Sequence, residues 1–186
     1  MTESLTFDYV LNNIFKFPSL RPFQKNVVTS MLDQKDILVI SPTGSGKSLC
    51  FQLPSLVSEG ICIVISPLRS LIYDQVEALK LKGISCELLN GDLGVRKKNK
   101  LFTELKNKVP AIKLLYTTPE TLICNDETKL IMLDLYRRNL INRIVLDEAH
   151  CISTWGHDFR PNYLKVRKLK ELYPDIPIAA LTATAT

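Results

Sequence analysis

Six short apolar runs, spaced along the whole chain, constrain this sequence more than any other feature. They are DILVI at 36–40, ICIVIS at 61–66, CELLN at 86–90, AIKLLYT at 111–117, RIVLD at 143–147 and IPIAAL at 176–181. Each is rich in β-branched residues and nearly unbroken in its apolarity, as strands buried on both faces are. Helical spacings lie between them. One is Leu71, Val76 and Leu79. Another is Leu130, Leu133, Leu135 and Leu140, with Asp134, Arg137 and Arg138 opposite. A third is Tyr163, Val166, Leu169 and Leu172, with Lys165, Arg167, Lys168 and Lys170 between. Strand alternating with helix requires right-handed crossovers. The fold class expected is therefore α/β, a parallel β-sheet covered by helices on both faces.

Composition narrows the function classes. The 186 residues suffice for one good-sized domain, and an apolar share of 46% supplies its core. A net charge of +5 suits a polyanionic partner without requiring one. Five cysteines, scattered and without a C-x-x-C pair, speak against a disulfide framework or a zinc site and for a reduced, intracellular compartment. Cys50 and Cys62 fall in apolar runs and read as core thiols. No segment is long and apolar enough to span a membrane. The opening MTESLTFDYV lacks the basic-then-apolar pattern of a signal peptide.

In a sheet of this kind, ligands bind beyond the carboxyl ends of the strands. The first run is followed by SPTGSGKS at 41–48. Gly44 and Gly46 let the backbone curl around one centre, with Thr43 and Ser45 in the curl. A helix starting near Lys47 adds its positive end, completing a phosphate cradle. Lys47 would reach the β- and γ-phosphates, and Ser48 would offer its hydroxyl to Mg²⁺. Ser41 stands where the strict pattern has Gly. The fifth run ends in Asp147-Glu148, bare carboxylates that are costly at the end of a buried strand. A nucleotide-bound Mg²⁺ would neutralise them, with Asp147 holding the metal through water. Glu148 would orient or deprotonate the attacking water.

These stretches, with ISPLRSLIYDQV, TPE and the ending LTATAT in this order, resemble the first motor lobe of a superfamily 2 helicase. CISTWGHDFRPNY after DEAH, and SLRPFQKNVV near the start, are similar to RecQ helicases, in wording nearest the Bloom-type branch. The resemblance implies a RecA-like P-loop lobe over residues 15–186, with 1–14 as an amino-terminal extension. It implies an ATP-dependent 3′–5′ DNA helicase of replication, recombination and repair, using ATP and Mg²⁺, acting on single-stranded or forked DNA in the nucleus, with no membrane. Phe17 falls on the family's adenine-stacking aromatic, and Arg21 and Gln24 on its Arg and Gln. A Gln amide can pair with adenine N6 and N7. Lys16, between Phe15 and Phe17, departs from the family's small residue there, and both aromatics could instead be core.

Arg69 and Thr118 match motifs that touch the DNA backbone; Arg69 could equally be a surface salt-bridge partner. His150 would join the γ-phosphate side to Thr182 and Thr184. Trp155, His157, Phe159 and Arg160 match the family's aromatic-rich loop. Stacked bases would suit those aromatics, at roughly 1–3 kcal/mol per base, and the loop would license hydrolysis from its place just after Glu148. The competing reading packs Trp155 and Phe159 into the core and makes His157 structural. RKKNK at 96–100 and KVRKLK at 165–170 read as solvated helix faces first, nucleic-acid contacts second. The sequence stops after LTATAT without the family's second lobe. The expectation is a lobe that binds nucleotide and does not unwind duplex by itself. Two alternatives stand beside it: a non-enzymatic ATP- or DNA-binding module, and an unrelated P-loop ATPase.

Overall fold

The computed structural model describes residues 6–152 and 168–184. All six runs form strands: β1 (Ile37–Ile40), β2 (Ile61–Ile65), β3 (Cys86–Leu89), β4 (Leu114–Thr117), β5 (Ile141–Leu146) and β6 (Ile178–Thr182). They make one sheet in the order β1-β6-β5-β2-β4-β3, and each pair of neighbours is parallel. The helices are α1 (Phe7–Tyr9), continued by a π-helical turn at Val10–Ile14, then α2 (Pro22–Leu32), α3 (Lys47–Val57), α4 (Arg69–Leu81), α5 (Val95–Leu105), α6 (Pro119–Cys124), α7 (Asp126–Arg137) and α8 (Leu169–Leu172). A 3-10 turn, Ala149–Ile152, follows β5.

Alternate residues of the strands serve two cores, because successive side chains point to opposite faces. Cys62, Val64, Leu114, Tyr116, Val145, Ala179 and Leu181 meet Val28 of α2, Phe51 and Leu53 of α3, and Ile72 of α4. Ile61, Ile63, Ile65, Leu115 and Ile144 meet Leu101 of α5, Ile131 and Leu135 of α7, and Leu169 of α8. The sheet is thus covered on both faces, as expected. Val10 and Leu11, inside the stretch read as an extension, are buried in the first core.

Four expectations about faces need correction. The central β2 and β4 are buried at every position, whereas β1 is an edge strand whose Leu38 and Ile40 stand 65% and 52% exposed. An apolar run alone does not distinguish an edge from a centre. In α4 the buried set is Ile72, Val76 and Leu79, with Leu71 only half-buried. In α7 it is Thr128, Ile131, Met132 and Leu135, the i, i+3, i+4, i+7 set of a helical face, and Leu130 is 67% exposed. Leu140 lies past the end of α7, beyond Asn139 in the left-handed conformation (φ 54°). Leu172 points outward while Leu169 is buried. The run at 96–100 lies on the solvated face of α5, where Arg96, Lys97 and Lys100 are exposed and Lys98 pairs with Glu127. Of the run at 165–170, residues 165–167 lie outside the described residues. Cys50 and Cys62 are buried thiols, and burial pushes both up to about 11, which keeps them protonated.

Candidate functional site

The phosphate-type loop lies between β1 and α3, on the carboxyl edge of the sheet. Gly44 (φ 76°) and Gly46 (φ 89°) both adopt left-handed backbone, which side chains with a Cβ rarely take. Gly46 is the residue just before α3, so the curl ends where the helix and its unpaired N–H groups begin. Lys47 folds over the curl. Its Nζ donates to the carbonyls of Ser41 at 2.6 Å and Pro42 at 3.0 Å. Ser45 Oγ is buried with no hydrogen-bond partner among the described residues. Ser48 is half-buried in the first turn of α3, and Thr43 is exposed at the bend. A buried orphan hydroxyl and a positive helix end within one cradle match the donors a phosphate group takes.

Helix α2 braces this loop from behind. Pro22 opens it at the first helical position, and Gln24 Oε1 accepts from the Arg21 N–H at 2.9 Å, one half of a capping box. Gln24 is 5% exposed, and its Nε2 donates to the Gly46 carbonyl at 3.1 Å. Arg21 Nη1 donates to the Ser45 carbonyl at 2.9 Å. In this structure, then, both residues matched to nucleotide recognition clamp the loop. The Gln24 amide retains one N–H and one acceptor lone pair beyond those bonds. Lys16 (φ 62°) turns left-handed and sends its two neighbours apart. Phe15 is buried in the core, while Phe17 is 48% exposed and lines a cavity of about 340 Å³ beside Leu49, Asp74 and Lys82.

Across the edge, Asp147 follows β5 and is only 5% exposed. Its Oδ2 accepts from Gln75 Nε2 at 3.2 Å and its Oδ1 from the Glu148 N–H at 3.1 Å. Burial raises its pKa, and the Glu148 charge adds to this. The Gln75 and Glu148 hydrogen bonds and the Lys47 ammonium pull the other way without cancelling the rise. Lys47 is therefore close enough to be felt by Asp147. Glu148 (φ 53°) is a left-handed non-glycine residue, a backbone that costs about 1–2 kcal/mol. Its Oε2 lies 3.3 Å from His150 Nδ1. The same Nδ1 lies 3.1 Å from Thr182 Oγ1. Thr182 spends its own hydroxyl proton on the Thr184 carbonyl at 2.9 Å. His150 must therefore carry its proton on Nδ1 and donate it to Thr182 and Glu148. Among the described residues, no partner takes Nε2.

The residues matched to DNA contact are placed differently from one another. Arg69 opens α4, is exposed, and forms an ion pair with Asp92. Thr118 is 1% exposed and caps α6, its Oγ1 accepting from the Thr121 N–H at 3.3 Å. It shapes the turn after β4 rather than presenting a side chain outward. Trp155, His157, Phe159 and Arg160 lie outside the described residues.

Sequence reasoning passed over three site residues: Gln52, Gln75 and Tyr116. Gln52 Nε2 donates to Tyr116 OH at 3.2 Å, and Tyr116 OH donates to Gln75 Oε1 at 3.1 Å. The signal was present. Gln52 interrupts the apolar run LCFQLPSL and Gln75 abuts Val76, and a polar group at such a position must find a partner inside.

The chain is similar to known proteins over nearly all of its length. A profile described as DEAD/DEAH box helicase matches residues 21–186. The chain is 49% identical over 178 residues to the RecQ-like DNA helicase blm-1 of Caenorhabditis elegans, which is 95% of this chain and 18% of that protein. It is 43% identical over 182 residues to the ATP-dependent helicase SGS1 of Saccharomyces cerevisiae, covering 96% of this chain and 12% of that one. It is 43% identical over 178 residues to the ATP-dependent DNA helicase RecQ of Haemophilus influenzae, covering 95% and 27% respectively. The chain thus spans less than a third of the length of these relatives. Among solved structures, the DUF1998 helicase MrfA bound to DNA and AMPPNP has a TM-score of 0.77 at 22% identity, over 100% of this chain and 27% of that one, a likeness of fold. Since its family profile covers all but the first twenty residues, this chain belongs to the DEAD/DEAH box helicases.

Proposed function

We propose that residues 15–186 form the ATP-binding lobe of an ATP-dependent 3′–5′ DNA helicase of RecQ type, with residues 1–14 as an extension packed onto it. The observation that carries this reading is the convergence on one sheet edge of a left-handed glycine cradle, Lys47, and the buried Asp147 with Glu148 and His150 behind it. Under this reading the loop 43–48 binds the phosphates of ATP. Lys47 exchanges the Ser41 and Pro42 carbonyls for β- and γ-oxygens, and Ser48 and Asp147 hold Mg²⁺. The metal supplies positive charge to the phosphate oxygens and neutralises the acidic pair. Glu148 orients the attacking water and takes its proton. His150 holds Glu148 through Nδ1 and ties it to Thr182 at the end of β6, with Nε2 facing the γ-phosphate side. Phe17 stacks on adenine, and Arg21 and Gln24 keep the cradle in shape and read the base edge.

Single-stranded or forked DNA lies over the strand ends. Arg69 meets its backbone, Thr118 shapes the turn beside it, and Trp155, His157, Phe159 and Arg160 stack or pair with it. The protein works where the chromosomes are, in the nucleus of a cell that has one. The 186 residues by themselves bind nucleotide and DNA without separating strands.

ATP hydrolysis by this chain, with and without single-stranded DNA and beside Lys47→Ala, tests the reading. Turnover or nucleotide binding that is lost in Lys47→Ala supports it. Nucleotide bound without turnover, with DNA present, makes the chain a binding module. Equal nucleotide affinity in wild type and Lys47→Ala rejects the site.

Arg69 offers a separate test. Its ion pair with Asp92 is exposed on both sides, so it contributes at most about 1 kcal/mol to stability. Arg69→Ala is expected to melt with the wild type and to weaken single-stranded DNA binding about five-fold, with a shallower salt dependence. Asp92→Asn, which removes the carboxylate competing with phosphate, is expected to tighten DNA binding two- to three-fold, on the order of 0.5 kcal/mol. Equal DNA affinities in all three proteins would remove Arg69 from the DNA path.

A further inference from the structure

We propose that Gln75 is the positioning residue for the Asp147 carboxylate, the last link of a buried hydrogen-bond chain that runs from the helix of the phosphate loop. The inference rests on the reading of Asp147 as the metal-holding group.

The chain has one direction. Gln52, five residues into α3 from Lys47, is 8% exposed and donates from Nε2 to Tyr116 OH at 3.2 Å. Tyr116, on β4, is fully buried and passes its hydroxyl proton to Gln75 Oε1 at 3.1 Å. Gln52 Nε2 also lies 3.4 Å from Gln75 Oε1. The Gln75 oxygen therefore faces donors, and its NH₂ must face the other way. There it meets Asp147 Oδ2 at 3.2 Å. Flipping the amide would set its NH₂ against the Gln52 NH₂ and its oxygen against a carboxylate oxygen. Both contacts would be repulsive in the flipped amide and both are hydrogen bonds as observed, so the observed orientation dominates.

The consequence is a carboxylate that cannot rotate freely. Oδ2 is held by Gln75, and Oδ1 by the Glu148 N–H at 3.1 Å. Four elements contribute: α3 from the phosphate loop, β4, α4 and β5. The loop that binds phosphate and the acid that holds the metal are thereby fixed relative to each other by side chains that touch neither ligand. Outer groups of this kind orient the inner ones, and their loss costs about 10- to 100-fold in metal affinity or activity.

The test is Mg²⁺ dependence of nucleotide binding by the 186-residue chain, followed with a fluorescent ATP analogue, together with binding in chelator and a thermal melt. Gln75→Met keeps the length of the side chain and loses the donor. It is expected to raise the Mg²⁺ concentration for half-maximal enhancement about tenfold and to leave metal-free binding unchanged. Gln75→Glu keeps the shape but opposes two carboxylates, and is expected to shift at least as far. Tyr116→Phe removes one oxygen atom and is expected to shift the same way by about threefold, since it loosens Gln75 rather than removing it. A Mg²⁺ response within twofold of wild type in the Gln75 variants, or a parallel loss of metal-free binding, overturns the proposal. Should Gln75→Met melt early, Tyr116→Phe decides: a shift supports the chain and none rejects it. If wild-type nucleotide affinity ignores Mg²⁺, the reading of the site itself fails, and this inference with it.

Discussion

Replacing Glu148 with Gln is expected to lower ATP turnover by about 10²–10⁴-fold, the usual contribution of a positioned general base, while nucleotide still binds. The reason is local. Glu148 is held by left-handed backbone (φ 53°) and steered by the His150 Nδ1–H 3.3 Å away. Asp147 cannot stand in, because it is buried and both its oxygens accept hydrogen bonds. Gln keeps the size and the acceptor oxygen but cannot take a proton. Phosphate release should therefore collapse while affinity for an ATP analogue stays within about twofold. Turnover within about fivefold of wild type would assign the base elsewhere. The left-handed backbone adds a second readout. Glu148→Gly should lose turnover to a similar degree yet gain about 1 kcal/mol of stability, or roughly 2–4 °C in melting temperature. An early melt would show that the Glu148 side chain also supports the fold.

Gly46→Ala is expected to cost about 2–4 kcal/mol and to abolish tight nucleotide binding. Two effects add. At φ 89° an L side chain is strained by about 1–2 kcal/mol. The new Cβ would also meet Gln24 Nε2 at 2.5 Å. Gln24 is buried and bonded at both ends, to the Arg21 N–H and the Gly46 carbonyl, so it cannot swing away without losing bonds of about 1 kcal/mol each. The melting temperature should fall by roughly 5–15 °C. Gly44→Ala is the control. It is strained by the same kind of backbone (φ 76°), but its Cβ would meet nothing within 4 Å. It should melt nearer the wild type. Equal melting of the two variants would show that the Gln24 brace contributes nothing to the loop.

Much of the fold was legible because burial on both faces leaves a plain mark. Six apolar runs became six strands, and the helix after the glycines starts at Lys47 as read. The misreadings concern faces, not elements. Leu71 and Leu130 were assigned inward, but Ile72 and Ile131 point there. One residue is 100° of rotation on a helix, and a leucine counts the same in a pattern whichever side of the stripe it falls on. Likewise DILVI and ICIVI look alike as strings. Only the order of strands makes the first an edge with Leu38 and Ile40 outward, and the second a centre.

The chain by itself determined which chemistry sits beyond the strands. The residue types and spacing of SPTGSGKS and DEAH are local, because a tight turn and a helix start need only their own few residues. Tertiary structure decided how those groups are held. Gln24 lies 22 residues from Gly46 and bonds its carbonyl, Arg143 of β5 bonds the carbonyls of Met31 and Lys35 at the end of α2, and Gln75 lies 72 residues from Asp147 and bonds its carboxylate. A single polar residue in an amphipathic helix carries no mark of its partner, since the partner is chosen by the packing of elements far apart in sequence. The demand that a buried polar group be hydrogen-bonded is present in every residue. Which bond meets it exists only once the sheet has brought the helices together.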